Sequence, residues 1–96
     1  MMSSFNDEDV APPPGDHVIF TDLDGVEGVL VDLDTKQYYQ LNETASLIWR
    51  GIAKGKPIAA IANEIVDAYD VSPERALSCV AETIGAFADY RLLRTR

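Results

Sequence analysis

The sequence predicts an α+β domain in which a three-stranded antiparallel sheet is followed by three helices (βββααα). Two observations predict this order. From Asp16 to Leu41, apolar and polar residues alternate with a period of two and turn residues interrupt them, which is typical of short strands. After Leu41 the apolar period becomes about 3.6, which is typical of amphipathic helices. A length of 96 residues allows one such domain with one modest core.

The three strands are predicted at about 17–21, 26–33 and 37–41. The turn clusters Asp22-Leu23-Asp24-Gly25 and Asp34-Thr35-Lys36 separate them. Short runs rich in β-branched and aromatic residues between such turns favour an antiparallel meander.

Capping residues predict where the three helices begin. Asn42 is a good N-cap for the first helix, and Pro57 suits the first position of the second. Ser72-Pro73-Glu74 supplies a cap, a proline at the first helical position and an early acid for the third, which is predicted to run to about Tyr90. The pair Leu92-Leu93 is expected to anchor the end of the chain on the core.

Residues 1–15 are expected to form a disordered acidic and proline-rich tail, and residues 16–96 the folded domain. The first segment has no hydrophobic period and ends in three prolines and a glycine. It therefore cannot bury enough apolar surface to offset the entropy that ordering would cost.

Charge and composition exclude several classes of function. The chain has 8 basic and 16 acidic side chains, a net charge of −8, and residues 1–34 contain no lysine or arginine. Such acidity disfavours nucleic acid, whose backbone is bound by clustered basic side chains. No apolar run is long enough to cross a membrane, no signal peptide is recognisable, and the single cysteine cannot form an internal disulfide. A cytoplasmic protein without a nucleic-acid or membrane partner is expected.

The segment VIFTDLDGV, residues 18–26, resembles the first motif of the haloacid dehalogenase phosphohydrolases. That match would make Asp22 and Asp24 catalytic and magnesium-binding. The chain that follows predicts another hairpin and three helices, without the parallel strands that would hold the other phosphate-binding groups. A polar turn is therefore the favoured interpretation. His17 and Cys79 are the only soft metal ligands and fall short of a zinc site, so we expect no catalytic residue, no metal site and no cofactor.

A helical wheel divides the third helix into three faces. The face expected to contact the core carries Leu77, Val80, Ala81, Ile84, Phe87 and Ala88. A second face is charged and solvated and carries Glu74, Arg75, Ser78, Glu82, Gly85 and Asp89. The third consists of small residues ending in an aromatic one, namely Ala76, Cys79, Thr83, Ala86 and Tyr90. Two interpretations stay open for it: a flank half covered by a neighbouring element, or one wall of a groove that admits another chain.

An ordered series of motifs over about residues 26–93 resembles the PqqD family, named for a small protein of pyrroloquinoline quinone biosynthesis. The series is Leu41-Asn42-Glu43-Thr44, Ile48-Trp49, Gly55, Tyr69-Asp70-Val71, Ser72-Pro73-Glu74 and Leu92-Leu93. The stretch YYQLNET is more similar to the stand-alone leader-binding proteins of lasso-peptide and related clusters than to the quinone-pathway members.

The resemblance implies a winged helix-turn-helix-like peptide-recognition domain, known as a RiPP recognition element. It implies a non-catalytic adaptor that binds the leader of a ribosomally made precursor peptide and delivers it to a modifying enzyme, such as a leader peptidase, cyclase or radical enzyme. In this family the leader adds as a strand beside the third strand and lies against the third helix. The expected peptide-binding residues are Gln37, Tyr38, Tyr39, Gln40, Leu41, Ala76, Cys79, Val80, Thr83, Ala86 and Phe87.

Two other classes stay open as alternatives: a DNA-binding winged-helix regulator and, less favoured, a phosphatase that uses Asp22 and Asp24. A DNA-reading helix needs basic and amide side chains facing the groove. The third helix carries three acids against one arginine, a net charge of −3 + 1 = −2, which disfavours DNA.

Overall fold

The computed structural model describes residues 9–94 and has the predicted order of elements. The strands are β1 (Val18–Asp22), β2 (Gly28–Asp32) and β3 (Gln37–Leu41), and the helices are α1 (Glu43–Ala53), α2 (Ile58–Tyr69) and α3 (Pro73–Asp89). The prediction of an α+β fold with three antiparallel strands followed by three helices is confirmed. Among residues 9–94, no helix has the length and apolarity needed to cross a membrane.

The sheet is an antiparallel meander with the order β1-β2-β3, so β3 lies at one edge. Its inner face packs on the helices: Leu30 in the central strand is fully buried, with Phe20 and Tyr39 as its cross-strand neighbours. The neighbouring cross-strand row, Ile19–Val31–Tyr38, points to the outer face of the sheet, and Tyr38 is 74% exposed. This alternation follows from the two-residue period of a strand.

Aromatic and aliphatic side chains from the three helices and from the inner face of the sheet form one core cluster. The rings of Trp49 in α1 and Phe87 in α3 lie edge to face, with centroids 5.1 Å apart and planes at 88°. Ile48 and Ile61 contribute fully buried side chains from α1 and α2. Burial of each such side chain stabilises the fold by about 1.5–3 kcal/mol, so this cluster fixes α3 against α1 and the sheet.

The predicted caps are confirmed at α1 and α3. The Asn42 carboxamide oxygen accepts the Ala45 amide at 2.9 Å, and the Ser72 hydroxyl accepts the Arg75 amide at 3.1 Å. Pro57 directly precedes α2 instead of opening it. These local bonds satisfy amides that the helices leave unpaired, which is why the helix starts were readable from the sequence.

The segment of residues 9–15, which we call the N-terminal strap, differs from the expected tail. Val10 forms a β-bridge with Pro57, and Pro14 forms one with Leu93. Ala11 packs against the core and is only 5% exposed. Three prolines and a glycine suggested disorder, but prolines also suit extended chain that pairs on one side only. Residues 1–8 of the expected tail lie outside the described residues.

The strap supplies hydrogen bonds that other segments need. The Asp9 carbonyl accepts the Ile58 amide at 2.7 Å, which satisfies the start of α2, where no side chain caps the helix. The Gly15 amide donates to the Leu92 carbonyl at 3.0 Å. The strap therefore ties the start of α2 to the C-terminal segment, where Leu92 and Leu93 are buried as predicted.

The buried face of α3 is rotated from the predicted one. Ala76 is 1% exposed instead of lying on the small-residue flank, and Ala88 is exposed instead of facing the core. Leu77, Ala81 and Ile84 are half-buried. The wheel predicted a single contact direction, whereas α3 packs mainly on α2 and also on α1. These two contacts together determine which of its residues are most buried.

We expect Ala11→Glu to destabilise the domain by about 2–4 kcal/mol, because it would bury an unpaired carboxylate. The neighbouring Pro12 is exposed, so Pro12→Glu, which adds the same charge, should stay within about 0.5 kcal/mol of the wild type. Urea denaturation of both variants measures the difference. Equal stabilities would mean that the strap does not pack in solution.

Candidate functional site

The register of the sheet leaves main-chain groups of β3 unpaired. The Leu33 amide donates to the His17 carbonyl at 2.8 Å, and the Leu23 amide donates to the Glu27 carbonyl at 3.0 Å. Because hydrogen-bonded pairs alternate in an antiparallel ladder, Val29 and Val31 direct their main-chain groups toward β1.

The intervening residues of β2 therefore bond to β3. Gly28, Leu30 and Asp32 pair with Leu41, Tyr39 and Gln37. The residues of β3 between these, Tyr38 and Gln40, direct both N–H and C=O away from the sheet. Among the described residues no other main chain bonds to them. This free edge offers two donors and two acceptors to another extended chain.

A groove of about 610 Å³ separates the free edge from α3. Tyr38 lies at its rim, and the rings of Tyr39 and Tyr90, which also line it, pack against each other with centroids 5.1 Å apart and planes at 44°. Phe87, whose ring rests on Trp49, forms part of the floor. The groove is lined by Tyr38, Tyr39, Gln40, Leu41, Ala45, Glu82, Thr83, Ala86, Phe87, Tyr90 and Leu92.

The structure brings most of the expected peptide-binding residues together in this groove. Those that line it are Tyr38, Tyr39, Gln40, Leu41, Thr83, Ala86 and Phe87. Gln37 lies on β3 beside the hairpin turn but does not line the groove. Ala76 and Val80 are 1% and 0% exposed, and expecting them at the site was wrong, because their side chains fill the core beneath α3.

Cys79 lies in an adjoining depression of about 680 Å³ over the first half of α3. This second depression shares Glu82 and Thr83 with the groove and is otherwise lined by Ser72, Glu74, Arg75, Ser78 and Cys79. Its lining is polar, whereas that of the groove is mostly aromatic and aliphatic. Together the two form a track along one side of α3.

Four lining residues were absent from the expected site: Ala45, Glu82, Tyr90 and Leu92. Tyr90 was on the small-residue face of the wheel and could have been included from that pattern alone. Glu82 was assigned to the solvated face, since a wheel does not show how far a rim side chain reaches over a groove. Ala45 and Leu92 reach the groove through tertiary packing, for which the sequence holds no local signal.

Asp22 and Asp24 have structural roles. The Asp24 carboxylate accepts the Glu27 amide at 2.8 Å and the Val26 amide at 3.0 Å, and these bonds lower its pKa. The same bonds keep residues 26 and 27 in the turn, which is why β2 is shorter than predicted. Asp22 pairs with Arg50, whose guanidinium lies 5.4 Å from the centroid of the Phe20 ring. The polar turn is thus the interpretation that the contacts support.

His17, Asp32 and Asp34 form a cluster whose potential ligand atoms lie within 4.8 Å of one another. His17 Nε2 lies 2.9 Å from the Arg91 carbonyl, and Asp32 Oδ1 accepts the Asp34 and Thr35 amides. Burial acts to raise the pKa of Asp32, but these amides and His17 outweigh it, so the pKa is lowered. The ionised Asp32 carboxylate therefore stabilises the hairpin near neutral pH, and this stabilisation is lost as the pH falls through the lowered pKa.

Fold and groove define the class: a small α+β domain that presents a free strand edge beside a helix-lined apolar groove. Residues 27–93 match the family described as Coenzyme PQQ synthesis protein D (PqqD), and the chain belongs to this family. The strap and β1 are outside the matched range.

Two solved structures share the fold. TbiB1 in complex with the TbiA(beta) leader peptide is similar with a TM-score of 0.80 and 27% identity, over 88% of this chain and 96% of that chain. Lasso peptide synthetase B1 complexed with the leader peptide is similar with a TM-score of 0.78 and 23% identity, over 85% of this chain and 95% of that chain. A comparison with curated proteins finds no match.

We expect neither the wild type nor Asp22→Asn to hydrolyse a generic phosphate ester in the presence of magnesium. The substitution removes an exposed ion pair with Arg50, so the melting temperature should change little. A chromogenic phosphate ester assay, with thermal melts of both proteins, tests this. Magnesium-dependent turnover that disappears in Asp22→Asn would restore the phosphatase hypothesis.

Proposed function

We propose that the protein is a non-catalytic adaptor that binds the leader segment of a ribosomally made precursor peptide and presents it to a modifying enzyme. The observation that carries the proposal is the free edge of β3 directly beside an apolar groove. The likeness to TbiB1, which is bound to a leader peptide, supports the same class of ligand.

The free edge accounts for affinity. An extended peptide beside β3 would form hydrogen bonds with the main chain of Tyr38 and Gln40. The peptide would thereby add a fourth strand to the sheet. Each bond contributes about 0.5–1.5 kcal/mol. These bonds do not depend on the side chains of the peptide, so they hold any extended segment of suitable shape.

The groove accounts for specificity. Peptide residues opposite Tyr38 and Gln40 point to the outer face of the sheet, whereas a residue opposite Tyr39 points, like Tyr39 itself, toward α3. Apolar or aromatic side chains at those alternate positions would be buried among the tyrosines and Phe87. The small side chains of Thr83 and Ala86 leave the room that this requires.

Other activities have less support in the contacts. The carboxylates of Asp22, Asp24 and Asp32 are held by internal ion pairs or amides. A DNA-binding role needs a basic recognition helix, whereas the charged residue that α3 presents at the groove is the acid Glu82. Peptide binding without catalysis is therefore the function that the groove supports best.

We expect Thr83→Glu to weaken leader binding by at least about tenfold while the domain stays folded. Thr83 lines the groove and is half-buried, so a glutamate there would obstruct the peptide and place an unpaired charge against it. The ligand for this test is the N-terminal part of a short precursor, which we expect to be encoded beside the gene. Titration calorimetry measures the affinity.

Two variants of the same helix serve as controls. Gly85→Glu adds the same charge where a side chain would meet open space, and it should bind normally. Ile84→Glu should destabilise the domain by about 2–4 kcal/mol, since Ile84 packs against the core. Normal binding by Thr83→Glu would contradict the proposed site, whatever Ile84→Glu does.

The strand pairing has its own test. Gln40→Pro removes an amide that faces the free edge, so the ladder with β2 stays intact while peptide binding should fall by about tenfold. Gln40→Ala keeps the amide and should bind within about twofold of the wild type. If both variants bound equally well, the peptide would not pair with β3.

A further inference from the structure

We infer that Glu82 makes the groove selective for a basic residue of the bound leader, an inference that rests on the proposed function. Glu82 is the only charged side chain among the described residues that line the groove. It also lines the second depression, so it lies where the two halves of the track along α3 meet. A peptide that follows the track from one half to the other passes this carboxylate.

The Glu82 carboxylate is available to a ligand. Its side chain is exposed, and it takes part in no ion pair among residues 9–94. The pairs found there join Asp22 with Arg50, Lys56 with Glu64, Arg94 with Asp16 and, when the imidazole is protonated, His17 with Asp32. Arg75 lies seven residues earlier on the same side of α3, about 10 Å along the helix, which is too far for an ion pair.

The surroundings of Glu82 favour lysine or arginine over other ligands. Either side chain can lay its methylene stem along the apolar groove and bring its charged head to the rim. Thr83 and Ala86 are too short to obstruct that path. An acidic peptide residue at the same place would meet a like charge that the peptide itself shields from water, which costs affinity. The net charge of −8 also favours the approach of a basic segment.

Selection from a displayed library of random peptides about twelve residues long tests this and does not require the sequence of the leader. Three proteins are compared: the wild type, Glu82→Lys and Asp67→Lys. Asp67 is exposed on α2, which lines neither the groove nor the second depression, so its reversal changes the net charge equally but not the track.

We expect the wild type to enrich lysine or arginine at one fixed position, and Glu82→Lys to enrich aspartate or glutamate there. A basic peptide selected on the wild type should bind Glu82→Lys about tenfold more weakly, whereas Asp67→Lys should bind it unchanged. An equal loss in Asp67→Lys would assign the effect to net charge and overturn the inference.

Thr83→Glu separates this inference from the proposed function. If selected peptides fail to bind Thr83→Glu but bind Glu82→Lys as well as the wild type, the groove binds peptides and the inference about Glu82 is wrong. If Thr83→Glu retains the selected peptides, or if the library yields no binders, the proposed function fails and the inference fails with it.

Discussion

The edge-to-face contact between Trp49 and Phe87 sets the geometry on which the groove depends. It keeps α3 at the distance from α1 that one aromatic ring requires. Because α1 also packs on β3, the same contact determines the distance between α3 and β3. Phe87 serves both the core and the floor of the groove. On the side of α3 next to Phe87 the residues are the small Thr83 and Ala86, and the space that they leave open becomes the groove.

The sheet has two edges, and their surroundings explain why β3 is the one suited to a ligand. At β1, the Val18 amide is bonded to the Gly15 carbonyl at 3.2 Å, and the Arg50 guanidinium lies over the ring of Phe20. A peptide at that edge would have to displace the strap or the arginine. At β3, Tyr38 and Gln40 open onto a groove lined by apolar side chains, so pairing and side-chain burial occur together.

The order of elements and the helix starts were predictable because the signals are local. Asn42 and Ser72 cap helices that begin one residue later, and their bonds span only three residues. The strap was not predictable in this way. Its partners, Pro57 and Leu93, are tens of residues away, and a proline-rich sequence is equally typical of a disordered tail and of an extended segment held from one side.

The site was predictable to the extent that it depends on periodicity. The two-residue period places Tyr38 and Tyr39 on opposite faces of β3, and the helical period places Thr83 and Ala86 on one side of α3. The expectation that Ala76 and Val80 line the site failed for one reason. A helical wheel shows the direction in which a side chain points but not how deeply it is buried. Both residues lie beneath the helix, in the core, instead of beside it where a peptide could reach them.

The position of α3 at the side of the groove explains how a fold of this kind can bind a peptide. A helix that reads DNA projects its side chains outward into a groove of the ligand. Here α3 provides one wall, β3 provides the opposite edge, and the ligand would occupy the space between them. Such a site needs short side chains on the helix and unpaired main-chain groups on the strand. Thr83 and Ala86 meet the first need and Tyr38 and Gln40 the second, so the acidic composition that disfavours DNA does not oppose a peptide ligand.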